Sequence, residues 1–278
     1  MKKIFFIIIA LTVMIGHPSA AKGIHNRNKI QTYAHRGCWS KGESGEFIIP
    51  ENSVAAVTEA ARRGYVGIEC DVHLTKDGRM VVLHDPTLNR TVRRASDYSK
   101  LEKELRLEEV TFEELRRDYV LESENPELRT PVPTLEEILA ECKKQKIVPM
   151  LHSAVWESYK VAQEMFGDEW ICFSSGADHM IKVRETYNCM ILVDTGNGNA
   201  QDNIEMLKAI GGDCGISSMN YNLFTPEFCN AITEAGFDVQ ASIFPFEQEQ
   251  IAVGNGITFL LTDRVLPSRK WKEIKTRH

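Results

Sequence analysis

Four short clusters between residues 34 and 85 hold side chains suited to acid–base and cation chemistry: Ala34-His35-Arg36-Gly37, Pro50-Glu51-Asn52-Ser53, Glu69-Cys70-Asp71 and His84-Asp85. Together they offer two histidines, an arginine, an asparagine and four carboxylates. That combination suits a phosphodiester. Such an anion resists nucleophilic attack, so a cation or guanidinium must neutralise its oxygens and groups titrating near neutrality must move protons. Carboxylates hold the cation, arginine grips phosphate oxygens through its planar fork, and imidazoles carry the protons. Glu69 and Asp71 stand two residues apart in an apolar run, so in a strand both side chains point to one face. Two carboxylates on one buried face repel and are costly to desolvate, and a shared divalent cation relieves both problems. The competing arrangement is a salt bridge from one of them to an arginine.

The elements that must position these groups follow from apolar periodicity. Short apolar runs recur at Ile30–Ala34, Val66–Val72, Met80–Leu83, Ile147–Leu151, Trp170–Phe173, Met190–Val193, Gly215–Ser218, Phe237–Ala241 and Thr258–Leu261. Most are separated by helical patterns, at Ser53–Arg63, Thr134–Gln145, Asp202–Ile210 and Pro226–Ala235. Strands alternating with helices imply a parallel sheet. The Asp77-Gly78 turn folds Met80–Leu83 back on the preceding strand as a hairpin, leaving eight parallel strands. This is the pattern of an α/β, (β/α)8 TIM barrel with a small insertion after the second strand's hairpin. Asn52 or Ser53 can cap the first helix, and Thr134 with Glu137 forms a capping box. Residues 86–131 break the alternation with charged sequence, helical at Ser99–Glu109 and Thr111–Arg117, expected to sit over the barrel mouth as a lid. In such a barrel the carboxyl ends of the strands build the active site, and His35, Arg36, Glu69, Asp71 and His152 all fall at or near such ends.

The ordered set Ala-His-Arg-Gly, Pro-Glu-Asn-Ser, Glu-x-Asp and Val-Val-Leu-His-Asp, followed by Pro131-Val132-Pro133-Thr134-Leu135-Glu136-Glu137, resembles the glycerophosphodiester phosphodiesterase family of metal-dependent barrel hydrolases. The resemblance spans residues 34–139 closely. The second half shares the alternating pattern and Thr262-Asp263-Arg264. It implies His35 and His84 as the acid–base pair, Arg36 on a phosphate oxygen, and Glu51, Glu69 and Asp71 around a divalent metal ion, magnesium or calcium. For Arg36 the rival role is a salt bridge to Asp85 or Glu51, and Asn52 is as well suited to capping a helix as to ligating. The implied reaction is hydrolysis of glycerophosphodiesters, the deacylated phospholipid head groups, to glycerol phosphate and an alcohol.

The chain departs from the family pattern where a strand should end in glutamate and, two residues on, lysine. Here it reads Leu151-His152-Ser153-Ala154, with neither Glu nor Lys between Lys146 and Glu157. His152 takes the position of a metal carboxylate and Ala154 that of a phosphate-binding lysine. A neutral imidazole removes one negative charge, which disfavours calcium and magnesium and relatively favours manganese or zinc. A second departure lies near Val239-Gln240-Ala241-Ser242, where the family presents a pocket tryptophan; Phe244 and Phe246 are the available substitutes. The glycine-rich turn Gly196–Asn199 has no phosphate-loop spacing and reads as an ordinary connection. The changed pocket keeps two rivals open: a phosphodiesterase for phosphoinositol or sugar phosphodiesters, and a catalytically weakened barrel that binds without turnover. Retention of two proton-transfer histidines favours an enzyme.

At 278 residues, 43% hydrophobic and 26% charged, the chain can bury one large core. A net charge of −6 gives no basic footprint for nucleic acid or an anionic membrane. Lys2-Lys3, the apolar Ile4–Gly16 run and the small residues at Ser19-Ala20-Ala21 read as a signal peptide over 1–21, with the barrel domain over 28–278. The apolar run is shorter than the about 20 residues of a membrane span, and no cysteine follows it for a lipid, so no stable membrane anchor is expected. Export to a periplasm or medium is the implication. Seven cysteines, an odd number without C-x-x-C spacing, argue against a disulfide framework and against structural zinc.

Overall fold

The computed structural model describes residues 29–195 and 198–263. Eight strands form the barrel: β1 Gln31–Ala34, β2 Gly67–Leu74, β3 Val148–His152, β4 Ile171–Ser175, β5 Met190–Asp194, β6 Cys214–Ser218, β7 Asp238–Ser242 and β8 Phe259–Thr262. Each is parallel to the next, and the ring closes where β1 meets both β8 and β2, with Tyr33 opposite Gly67 and Ala34 opposite Ile68. Closure needs the glycine, because a methyl at Gly67 would overlap the Val148 carbonyl and the Tyr33 ring.

Seven helices connect the strands: α1 Val54–Arg63, α2 Leu135–Gln145, α3 Trp156–Phe166, α4 Ala177–Thr186, α5 Ala200–Ile210, α6 Pro226–Glu234 and α7 Phe246–Gly254. Several start on the caps their sequences provide. The Ser53 hydroxyl accepts from the Ala56 amide, Thr134 and Glu137 form a reciprocal capping box, and Thr225 accepts from the Phe228 amide. Apolar residues sort into two layers, as strands buried on both faces require. Tyr33, Met150, Phe173, Leu192, Phe259 and Leu261 fill the barrel interior. Ile68, Leu151, Ile191 and Leu260 pack outward against Val57, Leu139, Tyr159 and Leu207 of the helices.

Met80–Val82 runs antiparallel to β2, with Val72 opposite Val82, as the Asp77-Gly78 turn implies. The insertion that follows has a small core of its own around Leu83, Leu88, Val92, Leu107, Leu115 and Leu121. It contains a two-stranded ribbon, Val92–Arg94 against Tyr119–Leu121, and a helix at Phe112–Asp118 capped by Thr111 and Glu114. The helix expected over Ser99–Glu109 shrinks to one 3₁₀ turn at Leu107–Glu109. The Asn89 side chain explains the loss. Its amide donates to the Leu101 and Lys103 carbonyls while its oxygen accepts from the Leu105 amide, capturing backbone groups that a helix would pair internally. The insertion forms one wall of the barrel mouth through Arg90 and the Arg106–Glu108 turn.

All seven cysteines are buried, and none forms a disulfide among the described residues. The amino-terminal signal-like segment, Gly196 and Asn197, and Arg264 lie outside the described residues. No described helix is long and apolar enough to cross a membrane.

Candidate active site

Strand register puts the carboxylates and imidazole on one surface. Glu69 pairs with Met150 and Asp71 with His152 across β2 and β3, and neighbours in a parallel ladder share a face. Since Met150 belongs to the barrel interior, Glu69, Asp71 and His152 also point inward, at its carboxyl-terminal end. One ligand atom from each of the three lies within 4.8 Å of the others. His152 Nδ1 is 3.2 Å from an Asp71 oxygen and 3.8 Å from Glu69 Oε1.

That Glu69 oxygen decides whether a cation fits. It is buried with no hydrogen-bond donor among the described residues, a costly state for a carboxylate unless a cation faces it. Burial, reinforced by the negative Asp71, pushes the Glu69 carboxyl well above its usual range. Burial also acts on Asp71, but hydrogen bonds from His152 and Asn52 outweigh it and hold that carboxyl below its usual value. The pair therefore divides into a retained and an easily lost proton, and a divalent ion would relieve the strain on Glu69.

The turn after β1 adds a second layer. Arg36 adopts a left-handed backbone, φ 56°, which turns its amide onto Glu69 Oε2 at 3.0 Å. Gly37, φ 74°, lies against α1 so closely that a Cβ there would meet the Ala56 methyl at 2.7 Å. Asn52, also left-handed at φ 51°, donates its amide nitrogen to the Arg36 carbonyl at 2.8 Å and its side chain to Asp71 at 3.0 Å. Ser53, not Asn52, caps the helix, and Asn52 steadies Asp71.

Each candidate proton-transfer histidine is backed by an aspartate. His35 Nδ1 lies 2.6 Å from Asp263 Oδ1, which also accepts from Trp39 Nε1 at 3.2 Å, while His35 Nε2 is 4.0 Å from Glu69. His84 Nδ1 lies 2.7 Å from Asp85 Oδ1, and its carbonyl is 3.1 Å from His73 Nε2. Burial raises Asp85, but bonds from Arg90 and His84 prevail and hold it down at about 2. Asp263 behaves likewise, its burial outweighed by the bond to His35. A carboxylate on Nδ1 fixes the tautomer and leaves Nε2 for the reacting group.

Glu51 stands apart from the three-residue cluster. It is buried, and both its oxygens are taken by guanidiniums: Arg36 Nη1 at 3.2 and 3.3 Å, Arg90 Nη2 at 2.6 Å and Arg90 Nη1 at 3.0 Å. Arg36 thus makes the salt bridge to Glu51 foreseen as its rival role, while its Nε is 3.9 Å from Asp71. Beside the cluster opens a cavity of about 650 Å³, walled by Asp71, His84, His152, Ala154, Arg106 and Ser174. Position 154 therefore faces the cavity, with a methyl in place of a long cation. Phe244 is buried against Phe224 and Tyr221. Nothing in the sequence pattern singled out Arg90 or Trp39. Asp263 stood out only within the Thr262-Asp263-Arg264 resemblance, with no role attached, as an acid directly after the last barrel strand.

The arrangement recurs in known proteins. Residues 35–241 match the glycerophosphoryl diester phosphodiesterase family, which is three-quarters of the chain and includes every residue of the cluster. The chain belongs to that family. The chain is 30% identical over 174 residues to mouse (Mus musculus) glycerophosphodiester phosphodiesterase 1, covering 58% of this chain and 47% of the relative. It spans about half or less of the length of the mammalian relatives it matches. Two solved structures share the fold. A putative glycerophosphoryl diester phosphodiesterase from Agrobacterium tumefaciens has a TM-score of 0.69 at 17% identity, covering 89% of this chain and 98% of that one. An Oleispira antarctica phosphodiesterase, solved with its product sn-glycerol-3-phosphate, has a TM-score of 0.65 at 19% identity, covering 90% and 98%.

Proposed function

We propose that this member of the family is an exported, metal-dependent phosphodiesterase that hydrolyses glycerophosphodiesters to glycerol phosphate and an alcohol, within a single catalytic unit over residues 28–278. The observation that carries the reading is a pair of aspartate-backed histidines, His35 and His84, flanking an inward-facing Glu69, Asp71 and His152 at the barrel mouth. A binding module needs no second proton-transfer group.

Glu69, Asp71 and His152 would hold the divalent ion. Glu51 would join them only by giving up its arginines. When bound, the ion supplies positive charge for a phosphoryl oxygen and lowers the cost of ionising an attacking hydroxyl. Arg36 holds a phosphate oxygen. One histidine takes the proton from the attacking oxygen through Nε2, and the other protonates the departing alkoxide. Asp263 and Asp85 keep both rings oriented throughout. His152 in the ligand set favours manganese or zinc over calcium.

The test is release of glycerol phosphate from glycerophosphocholine and glycerophosphoethanolamine by the purified protein, with and without chelator. Turnover that stops on chelation and returns with added metal is expected, and His35→Ala and His84→Ala should each abolish it. Undiminished turnover in Glu69→Ala and Asp71→Ala under chelation would refute the metal assignment. Export rests on Lys2-Lys3, the apolar run and the small residues that follow. Mass spectrometry of the natively expressed protein should find a mature terminus near Ala21 or Lys22, whereas an intact Met1 in a cytosolic fraction would overturn export.

A further inference from the structure

The barrel mouth is short of positive charge for an enzyme that must admit an anion. Glu51, Glu69, Asp71, Asp85 and Asp263 converge there, and the lysine position two residues after His152 holds Ala154. Even with a divalent ion bound, such a mouth repels a phosphodiester unless cations are aimed at it. Two cations on the cavity wall are poorly placed for this. Arg106 is paired with Glu108 at 2.6 Å, and Lys76 is exposed; neither has an ion pair with a carboxylate of the site.

Arg90 differs. It reaches in from the insertion and touches both halves of the site, Glu51 through Nη1 and Nη2, and Asp85 through Nε at 2.6 Å and Nη2 at 3.0 Å. Its side chain is 39% exposed, and of its five N–H groups one on Nη1 is left over after these bonds. Its near neighbour Arg93 shows what a purely structural arginine of this segment looks like: 4% exposed and sealed against Glu122. Arg36 meets Arg90 on the same Glu51 carboxylate. Arg90 closes a two-nitrogen fork on this carboxylate while Arg36 reaches both oxygens through Nη1 alone. Two guanidiniums meeting on one two-oxygen anion is a geometry that also binds phosphate, since carboxylate and phosphate present the same bidentate edge.

We propose that Arg90 is a phosphate-binding residue, which together with Arg36 grips the substrate's phosphodiester in place of the cation missing at position 154. Glu51 fills that anion position in the metal-free protein. A divalent ion competing for the Glu51 carboxylate therefore frees both guanidiniums for the substrate. This rests on the phosphodiesterase reading but is tested by binding, which requires no turnover.

Calorimetric titration of the full-length protein with inorganic phosphate provides the test. In metal-free protein, Glu51→Gln removes the resident negative charge and should tighten phosphate binding about tenfold, and adding Arg90→Ala to it should erase the gain. In manganese-loaded protein, Arg90→Ala should weaken phosphate binding and raise KM about tenfold or more, with Arg90→Lys recovering only part because it keeps the charge and loses the fork. Should Arg90→Ala fail to fold, Arg90→Lys gives the same readout, and an unchanged phosphate affinity in that variant overturns the proposal. A drop in kcat with phosphate affinity and KM within twofold of wild type would also overturn it, leaving Arg90 as a support for Asp85. A protein that turns over no glycerophosphodiester yet loses phosphate binding on Arg90→Ala would refute the activity and keep this inference.

Discussion

Replacing His152 by glutamate separates a metal ligand from a bystander. In the metal-free protein the imidazole donates its Nδ1–H to Asp71 at 3.2 Å and faces Glu69 at 3.8 Å. A glutamate there brings a third carboxylate to the same two neighbours. Two like charges about 4 Å apart at an effective dielectric constant near 20 repel by about 4 kcal/mol. The side chain at 152 is 46% exposed, so solvent screening reduces this to about 2 kcal/mol. For a domain of this size that destabilisation lowers the midpoint by about 4–8 °C. Metal reverses the sign, because three carboxylates neutralise a hard cation better than two and an imidazole. His152→Glu should therefore melt earlier than wild type under chelation, and later, relative to its own metal-free form, with magnesium or calcium. Wild type should respond comparatively better to manganese or zinc. Thermal unfolding with each metal, paired with calorimetric affinities, reads both limbs. Equal metal-free stability together with equal affinities, or a wild type preferring calcium more strongly than the variant, would put His152 outside the metal shell.

Asp263→Asn keeps the shape beside His35 but removes the charge that fixes its tautomer, so kcat should fall by about tenfold or more while KM holds; a steady-state comparison showing unchanged kcat would remove Asp263 from the machinery. Because the Glu69 carboxyl is raised in the folded state above its ordinary 4.5, the metal-free fold is favoured below that value and loses this contribution as pH rises through the raised one. Metal uptake at a pH between that ordinary value and the raised one should then release a proton, seen as a binding enthalpy that changes with the buffer's ionisation enthalpy, and no buffer dependence anywhere above 4.5 would contradict the shift. The seven buried thiols, with burial pushing Cys38 up to about 11 and Cys172 and Cys229 up to about 12, should resist a thiol reagent in the native state and all react on unfolding; prompt labelling of any of them would expose an error in the packing.

Much of the site was legible because it is written in local pattern. The two-residue spacing of Glu69 and Asp71 fixes a common face wherever β2 goes, and the strand-end positions of His35 and His152 fix their height in the barrel. The hairpin at Asp77-Gly78 and the caps at Ser53 and Thr134 are likewise decided within a few residues. The misread helix over Ser99–Glu109 failed because a distant amide, Asn89, outcompeted local propensity for the same backbone groups.

The sequence by itself determined the fold class, the inward carboxylate pair and the two departures at His152 and Ala154, since each depends on residue type and short-range period. Only the tertiary structure decided who partners whom. His35 meets Asp263, 228 residues away, because β1 closes the ring against β8 and sets their ends side by side. Glu51 meets Arg90 because the insertion folds back onto the mouth, and Arg36 because the turn after β1 lies beside the start of α1. Hydrogen bonds and ion pairs act over about 3–4 Å, a distance that register and barrel closure impose and that no spacing along the chain encodes.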